Sequence, residues 1–125
     1  MHEAEPRVGQ IYSCLEQSEM HGGTYQKALP ESGGEVTLIR FRPNINPNGP
    51  DIIEHGDQAK ISERMDMLRN QGGSLPVYKR VSDARWEYLG RYRVQDVTDD
   101  AEATAERQAI CGWYPRYVMR LEAAR

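Results

Sequence analysis

Long apolar runs are missing from this sequence. Its most hydrophobic stretches, 36–41 and 75–78, are strand length, well short of the ~20 residues that cross a bilayer. No transmembrane span is therefore expected. The start, Met1-His2-Glu3-Ala4-Glu5, is acidic with no apolar segment behind it, so no secretory leader is expected. Cysteine is scarce. Cys14 and Cys111 lie far apart, with no Cys-x-x-Cys pair and no metal-ligand spacing to His2, His21 or His55. That argues against a zinc ribbon or a disulfide scaffold and for two reduced thiols in a cytoplasmic protein. An excess of basic charge is missing too: 16 basic residues face 19 acidic ones, a net of -3, which excludes a uniformly basic, histone-like binder. Phosphate loops of the P-loop or Rossmann type, Gly-x-Ser-x-Gly, and His-x-Glu followed by Cys-x-x-Cys are all absent. The nuclease pattern Asp…Glu-x-Lys finds only a faint echo in Asp57-Gln58-Ala59-Lys60. No catalytic residue, cofactor or metal is assigned.

What is present fits one domain spanning 1–125. Hydrophobic residues at 38% and aromatics at 8% argue against disorder, and a mean hydropathy of -0.77 implies a modest core. Charge is unevenly spread. Residues 1–35 hold Arg7 and Lys27 against six Glu, whereas 36–93 hold ten basic residues against seven acidic ones. A middle-weighted basic balance permits a phosphate-facing patch.

The segment 8–15 reads as a short strand or turn, and 16–19 as a helical turn. The stretch 20–26 is a loop, because Gly22-Gly23 frees the backbone. Val36–Phe41, β-branched and bounded by breakers, reads as the best central strand. Arg42–Asp51 packs three prolines and three asparagines into ten residues, which forbids helix and ladder alike. Ile52-Ile53 suits a short strand. Asp57 is placed to cap a helix over about 58–70, whose Ile61, Met65 and Leu68 form one apolar stripe. Strands follow at 75–81, at 86–97 with a bulge or bend at Gly90, and at 117–121. Residues 99–110 read as a mobile loop or a short helix. The expected class is α+β, mainly β: a small closed or half-closed β-barrel flanked by the 58–70 helix.

These pieces, in this order, resemble a divergent SRA-type domain of the PUA-like superfold. SRA domains read modified cytosine in DNA, in eukaryotic methylation readers and in bacterial modification-dependent restriction systems. The resemblance rests on Gly9-Gln10-Ile11-Tyr12, on the loop from Glu19 through Gln26, and on Val36–Phe41. It continues through Gly56–Arg69, Gly73–Arg80, Trp86–Val94, Gly112-Trp113-Tyr114 and Tyr117–Leu121. Two stretches depart from the family pattern. Arg42–Asn48 stands where a Gly-Gly-Tyr and acidic run is usual, and Ile52-Ile53-Glu54-His55-Gly56 replaces a Tyr-Thr-Gly.

The resemblance implies a nucleic-acid partner, double-stranded DNA with a modified base, and a nuclease either as partner or as a fused domain. It implies no membrane role. A flipped base needs stacking groups, edge-reading groups and phosphate anchors. The candidate base pocket, built from loops 20–26 and 41–57, comprises Tyr25, Phe41, Asn44, Asn46, Asn48, Asp51, Asp57 and Trp86. Candidate backbone contacts are His21, Gly22, Gly23, Arg40, Arg42, Lys60, Arg64, Lys79 and Arg80. Tyr88, Tyr92 and Trp113 read as core aromatics. Two other classes stay open: a small ASCH-like enzyme of the same superfold, acting on RNA or a nucleoside amide through Lys60, His21 and Asp57, and a protein-interaction module.

Overall fold

The computed structural model describes residues 5–24 and 27–124. Strands β1 (Ile11–Tyr12), β2 (Glu31–Ser32), β3 (Glu35–Val36), β4 (Ile39–Phe41) and β5 (Ile52–His55) fill the first half, with helix α1 (Cys14–His21) after β1. Helix α2 (Ile61–Gln71), β6 (Ser74–Ser82), β7 (Arg85–Thr98), helix α3 (Ala101–Cys111) and β8 (Tyr117–Ala123) follow. No helix among them is long and apolar enough to cross a membrane.

One mixed sheet runs β4-β6-β7-β8-β5, with β1 added to β7. Its centre is the β6–β7 hairpin, and β8 then β5 pair antiparallel beyond it. The sheet does not close: no pairing joins β4 to β5 among the described residues. Of the two barrel forms expected, the half-closed one is realised. Helix α2 lays Ile61, Met65 and Leu68 on this curved sheet, against Ile39, Ile53, Val77 and Met119. Each such apolar side chain contributes about 1.5–3 kcal/mol when buried.

The anticipated bulge at Gly90 is present. Val77 faces Gly90 and Tyr78 faces Tyr88, leaving Leu89 as an extra residue. A second shift follows between Val94 and Asp96. Each extra residue resets the in–out alternation. Trp86 and Tyr88 thus pack with Leu38 and Tyr78 in a second cluster, while Leu89, Tyr92 and Val94 pack on the main core.

Two expectations need correction, and one open alternative is decided. Val36–Phe41 is no central strand: it splits, with Val36 in a two-stranded ribbon and β4 at the sheet edge, paired parallel to β6. Its backbone is drawn elsewhere. The Gln71 side chain bonds both Val36 N and Val36 O, at 2.8 and 2.9 Å, Thr37 N donates to Pro30 O, and Arg40 N donates to Ala28 O. The second helix starts at Ile61 rather than 58, and Asp57 does not cap it. The preceding residue is Lys60, at φ 64°, with no side-chain cap; exposed Asp57 sits 3.8 Å from Arg116 instead. Segment 99–110 is the helical alternative, α3, capped by Asp100, whose carboxylate accepts from Ala103 N.

Candidate functional site

A cavity of about 420 Å³ opens between the two edge strands β4 and β5. It lies in the range of small-ligand sites. A void of ~150 Å³ already holds benzene. Phe41 comes from β4, Trp86 from β7, Trp113 from the α3–β8 turn, and Glu54 and His55 from β5. Lys27 and Arg42, both exposed, supply a cationic margin.

The floor is built on an ion pair. Strand β5 reads Ile-Ile-Glu-His, placing a carboxylate directly after two isoleucines in a mostly buried run. Glu54 Oε2 accepts from Arg107 Nε at 2.5 Å, with both side chains buried. Arg107 also donates from Nη2 to Asn48 Oδ1. Glu54 N donates to Asn46 Oδ1 at 2.7 Å. The other carboxylate oxygen, Oε1, is buried with no partner among the described residues, and so is Nε2 of His55. An unsatisfied buried polar atom costs about 1–3 kcal/mol. Both atoms belong to residues that line this cavity, and such buried polar atoms are few in native proteins. Burial pushes the His55 ring down to a pKa of about 4, so it is neutral at neutral pH and offers one donor and one acceptor nitrogen.

The proline-rich loop is folded, not open. Turns bond Ile45 N and Asn46 N to Arg42 O, and Gly49 N to Asn46 O. Trp113 Nε1 donates to Ile45 O at 2.9 Å. Gly49 rests against the Phe41 ring so closely that a Cβ there would overlap it. Asn46 and Asn48 thus spend their side-chain carbonyls on the protein, and of the three asparagines only Asn46 lines the cavity. Asn44, Asp51 and Asp57 are exposed and lie off it.

Of the candidate residues, Phe41, Asn46, Trp86, Arg40 and Arg42 line this cavity, and Tyr25 lies outside the described residues. Most of the phosphate candidates are engaged within the protein. Arg40 is 2% exposed and donates to Gln17 Oε1 and Lys27 O, both at 2.6 Å, so it braces the wall instead of reaching outward. Arg64 Nε donates to Leu29 O at 2.9 Å. Lys79 pairs with Glu87 at 3.6 Å, and Arg80 pairs with Asp83. His21 Nε2 bonds Tyr78 Oη at 2.8 Å, and burial pulls the His21 pKa down. Gly22 and Gly23 pack against the 30–37 segment, where Gly22 O accepts from Thr37 Oγ1. Lys60 is exposed, away from the cavity. His21, Asp57 and Lys60 do not meet in it, so the hydrolytic constellation is not assembled.

Glu54, His55, Trp113, Arg107 and Lys27 were not anticipated as site residues. The one local signal was Glu54, a charge following two isoleucines in a strand. Trp113 read as core, and Arg107 had no signal, because its partners lie 53 and 59 positions away.

No protein-family model matches the chain, and no curated protein does. Among solved structures, the SRA domain of SUVH5, crystallised in complex with hemi-methylated CG DNA, aligns with a TM-score of 0.60 at 14% identity. The alignment covers 98% of this chain and 91% of that one. The fold is SRA-like.

Proposed function

We propose that this chain is a non-catalytic reader of double-stranded DNA that takes one extruded, modified cytosine into the cavity between β4 and β5. The observation that carries this reading is the buried pair of unpartnered atoms, Glu54 Oε1 and His55 Nε2, beside aromatic walls and a cationic rim. A carboxylate accepts from the exocyclic amine of cytosine and repels the carbonyl that thymine or uracil presents there. Phe41, Trp86 and Trp113 supply apolar and stacking surface, and Lys27 and Arg42 meet phosphates. Extrusion costs a few kcal/mol. Stacking returns roughly 1–3 kcal/mol, and a hydrogen bond to a charged group about 1.5–3 kcal/mol, so the balance favours capture. Its setting is the cytoplasm, with a nuclease activity as partner or fused domain, as the SRA-like fold suggests for modification-dependent restriction.

The test is fluorescence anisotropy on duplexes that differ at one cytosine, unmodified against 5-methyl and 5-hydroxymethyl, with 2-aminopurine beside it to report extrusion. Glu54→Gln keeps an oxygen for Arg107 and turns an amide donor toward the base. It is expected to lose at least tenfold in affinity for modified cytosine and to shift preference toward a carbonyl-bearing base. Unchanged modification-dependent binding in Glu54→Gln would place the base elsewhere.

A further inference from the structure

A second cavity of about 310 Å³ adjoins the first and shares Lys27, Ala28 and Gln58 with it. The strip between them is held rigidly. Lys27 O accepts from Arg40 Nη1, Ala28 O from Arg40 N, and Leu29 O from Arg64 Nε, at 2.6–2.9 Å. On the far side, the chain turns through Lys60 at φ 64°, with Ile61 N bonded to Gln58 O. Both walls are thus set by hydrogen bonds to backbone carbonyls, and the annexe belongs to the fold.

A methylated pyrimidine has no use for this space. The first cavity alone, at about 420 Å³, exceeds the ~150 Å³ that accommodates one aromatic ring. The annexe is of use only to a substituent that leaves the base ring and passes the shared edge at Gln58. Its chemistry is two-sided. Leu29, Ala59 and Ile61 give apolar wall, while Gln58, Lys27 and Arg64 bring N–H donors. Among the described residues, Arg64 bonds through its Nε, to Leu29 O. Apolar faces with donors around them suit a saturated ring that carries oxygen acceptors on its rim and C–H groups on its faces.

We infer that this reader is built for a cytosine bearing a bulky, hydroxyl-rich substituent of sugar size, the base in the first cavity and the substituent in the second. The inference rests on the function proposed above and extends it to the substrate's modification.

The experiment compares duplexes of one sequence carrying cytosine, 5-methylcytosine, 5-carboxylcytosine or glucosylated 5-hydroxymethylcytosine at one position, by fluorescence anisotropy at fixed salt. The glucosylated duplex is expected to bind at least tenfold tighter than the methylated one. Ala59→Trp, at an exposed position that tolerates bulk, fills the annexe and is expected to erase that gain while leaving 5-methylcytosine binding within twofold. Gln58→Ala is expected to reduce the gain severalfold. Glucosylated DNA binding no tighter than methylated DNA overturns the inference and leaves the base-reader proposal standing. A preference for 5-carboxylcytosine over the glucosylated base also overturns it, because the donors would then be reading charge. Equal binding of all four duplexes overturns both.

Discussion

Replacing Arg107 with methionine isolates what holds the cavity floor. Arg107 and Glu54 are 6% and 0% exposed at the side chain and meet at 2.5 Å. Removing the guanidinium leaves a carboxylate enclosed without a counter-charge, which costs about 3–5 kcal/mol. Unfolding entropy of roughly 2.1 cal/mol/K per residue, over 125 residues, gives about 0.26 kcal/mol/K. The Tm is thus expected to fall by about 11–19 °C. The double variant Glu54→Leu/Arg107→Met removes both charges and keeps the volume. It is expected within about 2 kcal/mol of the parent, because a buried ion pair is nearly exchangeable with apolar packing. Differential scanning calorimetry on parent, both single variants and the double closes the cycle. Binding separates stability from reading: the double variant folds yet loses its preference for cytosine over a carbonyl-bearing base, since the carboxylate acceptor is gone. A Tm drop under about 3 °C for Arg107→Met, or a double variant as unstable as that single, refutes the claim that this pair organises the floor.

Other outcomes follow from the same geometry. His55 has its pKa depressed to about 4 from 6.5, so the unfolded chain binds the extra proton between those values and stability falls as pH drops through that window. The loss from pH 7 to pH 5 is about 2 kcal/mol, measurable by urea unfolding; an equal pH dependence in His55→Gln would count against it. Gly49→Ala drives a methyl into the Phe41 ring and is expected to cost about 1–3 kcal/mol and weaken DNA binding. Gly56→Ala, whose Cβ would stand 3.5 Å from Trp113, is expected to be tolerated, and thermal melts of the two compare directly. Arg42→Ala is expected to reduce the salt-dependence slope of DNA binding by about 1 without changing modification preference, as a titration series in potassium chloride reports.

Local pattern alone specified a good part of this molecule. The stripe Ile61, Met65, Leu68 placed one helix. The breakers around 75–81 and 86–97 placed the central hairpin, and Gly90 marked its bulge. Order and spacing of the pieces pointed to an SRA-like fold. These features are short-range, because periodicity and turn residues act on the few neighbours that share an element. The floor of the candidate site is long-range. Glu54 reads as a surface charge until α3, 53 positions on, brings Arg107 against it. Trp113 reads as core until it is found 68 positions away, bonded to Ile45 O. Val36–Phe41 reads as a central strand until Gln71 and the 28–30 segment take its backbone groups. Whether a polar group is exposed, paired or left waiting for a ligand depends on desolvation by distant elements. Sequence determined the elements and their order, and only tertiary packing decided which charges were buried and which cavity they faced.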